Sequence, residues 1–330
     1  VPTQGQADGS SLSQVVARGR GPVGAVESDL VRRNTGAGQK PADGLIQLQI
    51  LQFPLGEVTV SGNQNFAREN ILASIPELQP GKSPDVAELS RQLGLANEHP
   101  AKRVSLLVKE GKEQDTIDTE LRVRDAPAEQ FFLSFTAQSE DRYDAINRNT
   151  GYTRITGGYQ RSDLFDRDHA LTATYTTSPD HLDRVQQLGL FYWLPLYGYN
   201  SSITAFYARS DVNSGAVGSG GTTFNVSGRG EFWGLKLTHT LPKYRETSQN
   251  VALSVDDKYF HSGVDIMGAP TGVPDIRSRP LAVRYTARND QPWGVVGGFI
   301  EYATNLPGGS ANSDRDYAAT RPGGVGFKGA

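Results

Sequence analysis

The chain of 330 residues contains no cysteine and only one methionine. The absence of cysteine excludes disulfide bonds and metal sites that use thiolate ligands. A large excess of one charge is also missing, because the formal net charge is −3 and no run of five like charges occurs. Since nucleic-acid binding requires a basic patch or stripe, we expect no nucleic-acid partner.

Long apolar runs are missing as well. No segment approaches the roughly 18 consecutive apolar residues that a membrane-spanning helix requires, and the mean hydropathy is −0.46. This average is typical of soluble proteins, but it does not report on strands in which apolar and polar residues alternate. The chain begins at Val1 without the charged and apolar segments of a signal peptide. We therefore expect that such a peptide was removed or that the chain is a fragment.

Motifs of catalysis are absent from the sequence. It contains neither H-E-x-x-H nor G-x-S-x-G, and the glycine-rich segment 217–221 lacks the lysine of a phosphate loop. We therefore predict no enzyme activity, no cofactor and no nucleotide. The segment 163–169, "DLFDRDH", gathers three aspartates and His169, but its spacing does not match an EF-hand loop. We interpret it as a solvated turn between two strands rather than a metal site.

The first half of the chain contains a small α+β unit. Residues 1–44 are rich in Gly, Gln, Ser and Ala and predict a poorly ordered lead-in. Residues 45–126, which we call the module, then show strand, helix, helix, strand and strand patterns in that order. The second helix is predicted to have Ser83 at its N-cap and Pro84 at its first helical position.

The module offers a surface for an extended peptide. Its segment 103–110, "RVSLLVKE", is predicted to be an exposed edge strand beside the second helix, and such an edge accepts a further strand through backbone hydrogen bonds. The predicted partner-binding residues are Val104, Leu106, Leu107 and Val108 of this strand and Val86, Leu89 and Leu93 of the helix. The alternative is that Val104, Leu106 and Val108 face the core of the module itself.

After Pro127 the helical pattern ends and nine alternating segments follow. Their length of about ten residues matches the 9–11 that cross a bilayer at a tilt, whereas strands of soluble proteins average five or six. Short and long connections alternate, as in an outer-membrane barrel. Residues 127–330 are therefore predicted to form part of an antiparallel transmembrane β-barrel. The alternative is a soluble β-sandwich or β-helix.

Within this barrel the hairpin 188–211 is predicted to face two solvents. Its alternate residues Leu188, Leu190, Tyr192 and Leu194 would contact lipid, while Gly189 would point into the lumen. Aromatic residues that would form a girdle at the membrane boundary crowd its turn, namely Tyr192, Trp193, Tyr197 and Tyr199. Four arginines are candidate lumen-facing residues: Arg154, Arg209, Arg284 and Arg288.

Several of these segments resemble a known family. "VSGNQNF" at 60–66, "NEHPAKRV" at 97–104 and "EGKEQDTIDTELRVRD" at 110–125 resemble a POTRA domain, specifically the second POTRA domain of the two-partner secretion transporters. These are the haemolysin secretion/activation proteins of Gram-negative bacteria. "GLFYWLPLYGYN" at 189–200 and "ATNLPGGSANSDRDYAATRPG" at 303–323 are similar to barrel segments of the same family. The resemblance spans about residues 45–330 through order and spacing rather than through one motif.

The resemblance implies a periplasmic POTRA domain ahead of an outer-membrane barrel that exports one large, unfolded exoprotein without ATP. Residues 1–44 would then hold a degenerate first POTRA domain or a lead-in, and the nine strands predict an incomplete barrel, hence a fragment. The implied partners are the exoprotein and outer-membrane lipids. Three alternatives stay open: a POTRA-bearing insertase for outer-membrane proteins, a passive porin, and a soluble secreted β-rich adhesin.

Overall fold

A computed structural model describes residues 31–34, 49–137, 153–182, 185–211, 216–219, 222–225, 229–261, 265–266, 269–270 and 275–320. Most of the predicted lead-in lies outside these residues. Its described part, β1 (Val31–Asn34), pairs antiparallel with β2 (Gln49–Gln52). No helix among the described residues is long and apolar enough to cross a membrane.

The module contains a three-stranded sheet covered by two helices. Along the chain its elements are β3 (Leu55–Ser61), α1 (Arg68–Ala73), α2 (Val86–Ala96), β4 (Lys102–Glu110) and β5 (Ile117–Asp125). The strand order is β3-β5-β4, in which β3 runs parallel and β4 antiparallel to β5. This is the predicted order of elements. The sheet nevertheless begins at Leu55, because the preceding strand β2 pairs with β1 instead.

The core of the module forms between the helices and one face of the sheet. Alternation in β5 buries Ile117, Leu121 and Val123, while Arg122 and Arg124 stay exposed. The helices contribute apolar residues at helical spacing, and Ile71 and Leu89 are both buried in the same cluster. Burial of this set is the main source of stability for so small a unit.

The N-terminus of α2 differs from the prediction. Asp85, not Ser83, is the N-cap residue, and its carboxylate accepts hydrogen bonds from the backbone N–H groups of Ala87 at 2.7 Å and Glu88 at 3.2 Å. The Ser83 hydroxyl is buried and has no hydrogen-bond partner among the described residues. Because α2 begins at Val86, Asp85 is the residue directly before its first turn, and the negative charge of its carboxylate also interacts favourably with the helix dipole.

The second half of the chain forms one large antiparallel sheet. Nine strands follow one another in sequence order: β6 (Glu129–Ala137), β7 (Thr153–Leu164), β8 (His169–Thr177), β9 (Gln186–Leu196), β10 (Ser201–Asp211), β13 (Arg229–Tyr244), β14 (Thr247–Phe260), β18 (Pro280–Gln291) and β19 (Gly294–Asn305). They correspond to the nine predicted segments. Within the described residues the sheet is open, with β6 and β19 at its edges, so a closed barrel stays a prediction.

Short elements lie in the long connections and after the last strand. The hairpins β11 (Ala216–Ser219) with β12 (Thr222–Asn225), and β15 (Asp265–Ile266) with β16 (Ala269–Pro270), follow β10 and β14. A further strand, β17 (Ile276–Ser278), pairs with the end of β14. The helix α3 (Asp314–Thr320) comes after β19.

The connections of the large sheet divide between its two ends. Four short turns, at 165–168, 197–200, 245–246 and 292–293, lie at one end. At the other end β6, β8, β10 and β14 end at Ala137, Thr177, Asp211 and Phe260, each followed by a longer stretch of chain before the next strand of the sheet. Because consecutive antiparallel strands reverse direction, this division follows directly from the up-and-down order. The module packs against the end with the short turns.

We predict that Asp85→Ala removes the cap and destabilises α2 by about 1 kcal/mol. Hydrogen exchange of the first-turn amides of α2 should then accelerate about fivefold, because those amides exchange through local opening of the helix. The matched control is Ser83→Ala, which should leave the exchange unchanged. Equal acceleration in both variants would contradict the assignment of the cap.

Candidate functional site

A cavity of about 1070 Å³ lies between the module and one face of the large sheet. We call that face the cavity face and the opposite one the outer face. Residues of all nine strands line the cavity, at alternate positions wherever a strand contributes more than one, and most are polar or small. The module closes its short-turn end with Asn97, Glu98 and Pro100 of the loop between α2 and β4 and with Arg103 of β4.

Charged side chains of both signs project into the cavity. Lys236 and Lys258 lie on the same face as Asp256, and Arg284 forms an ion pair with Glu301 at 2.6 Å. Because this surface is polar and carries no large net charge, it can bind hydrogen-bonding groups and charged groups of either sign. Among the described residues no group of three His, Cys, Asp or Glu side chains could hold a metal ion.

The four candidate lumen-facing arginines divide between the faces. Arg284 lines the cavity, and Arg288 and Arg154 lie on the same face because they share the alternation of their strands with cavity-lining residues. The prediction for Arg209 is wrong. It alternates with the cavity-lining Phe206 and therefore lies on the outer face, with its Nε 3.9 Å from Glu231.

The outer face is apolar over its whole width. Large hydrophobic side chains on it are more than a third exposed in every strand except β7 and β10, among them Phe131, Leu133, Phe135, Tyr175, Leu188, Leu190, Trp233, Leu235, Leu237, Leu253, Val283, Ile300 and Tyr302. Soluble proteins rarely expose so continuous an apolar surface. The hairpin prediction is confirmed here in one respect, since Leu188 and Leu190 lie on this face and Gly189 on the other.

Each short turn contains or directly follows one strongly exposed aromatic side chain. They are Phe165, Tyr199, Tyr244 and Trp293, with exposures of 75%, 75%, 66% and 76%. Tyr199 was predicted for this role. Trp193 is not part of this set, because it lies on the cavity face and is buried against Leu95 of α2. Tyr197 also points to the module, as described next.

The junction between the module and the sheet is built around a buried ion pair. The Lys102 ammonium at the start of β4 pairs with the Asp168 carboxylate in the turn between β7 and β8, and both side chains are fully enclosed. Lys102 also donates to Asn70 Oδ1 at 2.9 Å, and the Tyr197 hydroxyl donates to Asp168 at 2.7 Å. Burial lowers the pKa of Lys102, whereas the Asp168 carboxylate opposes that shift.

His99 completes the junction in its neutral form. Its Nδ1 accepts a hydrogen bond from the Ala101 N–H at 3.2 Å, so Nε2 carries the proton and donates to the Ser162 carbonyl at 2.6 Å. The ring packs edge-on against Phe66 at 5.2 Å between centroids. Burial lowers the pKa of His99 to about 4, because desolvation outweighs the attraction of Asp168.

A second polar contact joins α2 to the large sheet. The Asn200 amide donates to the Glu88 carboxylate at 2.5 Å, joining α2 to the turn between β9 and β10. Asn200 adopts φ = +47° at the end of that turn, a conformation that asparagine tolerates better than most residues. Together with Leu95 packed on Trp193, two neighbouring turns therefore hold the module.

The acidic segment 163–169 forms the predicted turn between two strands, but it is solvated only in part, because Phe165, Asp166 and Arg167 are exposed whereas Asp168 is enclosed. Phe165, Asp166 and Asp168 all adopt positive φ, of 64°, 53° and 62°. Such conformations cost of the order of 1 kcal/mol each in residues other than glycine. They direct Asp168 inwards, where it is 1% exposed. No signal within the segment could reveal this, because Lys102 lies 66 residues earlier in the chain.

The edge strand β4 is open over only part of its length. The Asn97 side chain binds both backbone groups of Val104, accepting from its N–H at 2.7 Å and donating to its C=O at 2.9 Å. The backbone of Val104 therefore points away from β5. Since direction alternates along an antiparallel strand, the N–H and C=O groups of Leu106 and Val108 point the same way. Those of Leu107 point towards β5.

The side chains of the predicted partner-binding residues also differ in their exposure. Val104 and Leu89 are buried in the module core, and Leu106, Val108 and Leu93 pack against it. The side chains of Val104, Leu106 and Val108 therefore face the core of the module, which was the alternative to partner binding. Val86 is 41% exposed at the start of α2 and stays available to a partner. A partner strand could therefore bind to β4 through the backbone N–H and C=O groups of Leu106 and Val108, but not through their side chains.

Comparisons with known proteins support the fold. No protein-family model and no curated protein sequence matches the chain. CdiB from Escherichia coli aligns with a TM-score of 0.62 at 14% identity, over 81% of this chain and 48% of that chain. CdiB from Acinetobacter baumannii gives 0.49 at 14% identity over 78% and 47%. BamA from Haemophilus ducreyi lacking POTRA domains 1–3 gives 0.40 at 11% over 86% and 54%.

The chain has the fold of CdiB, and it spans about half the length of the solved structures that it matches. The two alignments with TM-scores below 0.5 add nothing to this conclusion. The resemblance to two-partner secretion transporters is thereby confirmed at the level of fold. The assignment of residues 45–126 to a POTRA domain stays a prediction.

The pKa of His99 predicts that the junction is sensitive to acid. Below its ordinary pKa of 6.5 the ring binds a proton in the unfolded chain, but the folded chain resists protonation down to about pH 4. Stability is therefore lost as the pH falls through this window, by at most about 3 kcal/mol. The protection factors of the amides in residues 162–168, which are corrected for the intrinsic pH dependence of exchange, should therefore fall between pH 7 and pH 4.5. In His99→Gln, which retains a donor for Ser162, this fall should be much smaller; an equal fall would contradict the assignment.

Proposed function

We propose that the chain is part of an outer-membrane transporter of the two-partner secretion type, which captures an unfolded exoprotein in the periplasm and exports it across the membrane. The observation that carries the proposal is the pairing of an apolar outer face with a polar cavity face on one long-stranded sheet, with the module seated at its short-turn end. The fold of CdiB, a two-partner secretion transporter, supports it.

The outer face suits a lipid environment. Its hydrophobic side chains would contact the acyl chains, and the exposed aromatic residues of the four short turns would lie at the boundary with the headgroups. In this orientation the short turns and the module face the periplasm, and the long connections face the exterior. A soluble adhesin would instead leave this apolar surface in water.

Capture would take place on the module. A transporter without a nucleotide site depends on binding to collect its substrate, and the open backbone groups of Leu106 and Val108 accept an extended chain of almost any sequence. The polar cavity face then provides a path in which such a chain keeps hydrogen-bonding partners. An insertase would share this architecture but would act on barrel proteins that stay in the membrane.

Fractionation of cells that express the full-length parent protein tests the proposal. We expect the protein in the outer-membrane fraction after carbonate extraction, because a lipid-facing sheet resists release without detergent. If a neighbouring reading frame encodes a large exoprotein, that exoprotein should be exported only when the parent protein is present. Recovery in the soluble periplasmic or secreted fraction would overturn the proposal in favour of the adhesin.

The sidedness of the sheet predicts opposite outcomes for two adjacent substitutions in β14. Leu253 is on the outer face and 47% exposed, whereas Ser254 lines the cavity. Leu253→Arg should cost about 2–4 kcal/mol if this face meets the bilayer midplane, whereas Ser254→Arg should assemble normally. Assembly is measured by heat-modifiable migration of the parent protein. Equal assembly of both variants would show that the outer face does not meet lipid.

The edge of β4 predicts a second pair of opposite outcomes. Val108→Pro removes an outward N–H and should weaken binding of an N-terminal exoprotein fragment by up to about tenfold, the value of one or two hydrogen bonds. Leu107→Pro removes a hydrogen bond to β5 and should instead destabilise the pairing of β4 with β5, so that the β5 amides exchange faster. Titration of the full chain in detergent with the fragment measures the first effect, and hydrogen exchange of β5 measures the second. Unchanged affinity in Val108→Pro would place capture elsewhere.

A further inference from the structure

We propose that the Lys102–Asp168 ion pair is a positioning clamp, which aligns the open edge of β4 with the cavity so that a chain bound on the edge enters beside Arg103. The inference rests on the proposed function for the identity of that chain, an extended polypeptide. The clamp itself rests on the geometry of the junction alone.

The first step is the location of the two residues. Lys102 is the first residue of β4, and Asp168 lies in the short turn between β7 and β8. The pair therefore joins the beginning of the edge strand to the short-turn end of the large sheet. Arg103, the next residue, already lines the cavity.

The second step is the direction in which the edge ends. Because Asn97 occupies both backbone groups of Val104, a strand added to β4 pairs at Val108 and Leu106 but is stopped at Val104. Beyond this stop lie Arg103 of β4 and the preceding loop with Asn97, Glu98 and Pro100, all of which line the cavity. A chain that leaves the edge at this end therefore meets the cavity.

The third step is that the junction is built for rigidity. The described residues form several ion pairs between a lysine or arginine and a carboxylate. Of these, only the Lys102–Asp168 pair has both side chains enclosed. Asn70 and Tyr197 supply further hydrogen bonds, and three strained residues hold the turn that presents Asp168. Removal of one partner leaves a buried charge without compensation, whereas removal of both does not.

The first experiment measures the position of the loop without any substrate. The chain has no cysteine, so Glu98→Cys in the module and Lys236→Cys in β13 introduce a unique pair for a short bismaleimide crosslinker. Both residues line the cavity, and their charges lie close enough to interact. We expect efficient crosslinking in the otherwise unchanged chain, and a rate at least tenfold lower when Lys102→Met or Asp168→Asn is added. The double variant leaves no charge unpaired, so its rate should stay below that of the unchanged chain if the pair itself positions the loop, whereas full recovery would show that only an unpaired charge disturbs it.

Two controls make this experiment decisive. Lys112→Met removes an exposed ion pair with Glu57 inside the module and should leave the crosslinking rate unchanged. Tyr197→Phe removes one hydrogen bond to Asp168 without exposing a charge, so it tests the clamp even if the single charge variants fail to assemble. It should lower the rate two- to threefold. Unchanged rates in Tyr197→Phe and in the assembled charge variants would overturn the clamp.

The second experiment separates capture from entry in the full-length parent protein. With the exoprotein of the neighbouring reading frame as substrate, the single variants should bind its N-terminal fragment within twofold of the unchanged protein but export it at least tenfold more slowly. Export at the normal rate by variants that have lost crosslinking would overturn the inference. If the unchanged protein neither binds nor exports the fragment while the crosslinking results hold, the proposed function fails instead.

Discussion

The alternation of side chains along an extended strand is the constraint on which the rest of this structure depends. In every strand of the large sheet one set of alternate residues faces the cavity and the other faces outwards, so the register between strands decides which surface each residue joins. The continuous pairing from β6 to β19 keeps the two sets apart over nine strands. A slip of one residue would bring Leu253 into the cavity and Ser254 onto the apolar face, which explains why the register is so strictly specified.

The junction shows a different principle, in which polar groups rather than apolar area specify a relative position. Apolar packing between Leu95 and Trp193 contributes affinity but tolerates small rotations. The enclosed Lys102–Asp168 pair does not, since either charge alone would be costly to bury. The strained turn at 165–168 is consistent with this role, because its conformational cost is offset only when Asp168 has its partner.

Much of the fold could be predicted from the sequence because its signals are local. The nine strands and the order of elements in the module follow from periodicity within windows of about ten residues. The alternation also held the signal that Arg209 faces outwards, since it shares its phase with Ile203, Ala205 and Tyr207. The junction could not be predicted in this way. Its residues come from segments more than 60 positions apart, and neither segment alone distinguishes an enclosed aspartate from a solvated one.

The open edge of β4 is short, and this length has an energetic consequence. Two residues, Leu106 and Val108, offer about four backbone groups, and each hydrogen bond contributes roughly 0.5–1.5 kcal/mol net. The sum of a few kcal/mol is reduced further by the entropy of ordering the bound chain. Pairing on this edge is therefore weak and rapidly reversible unless the cavity adds contacts. For a chain that must be handed on rather than retained, a short edge closed by Asn97 favours release in the direction of the cavity.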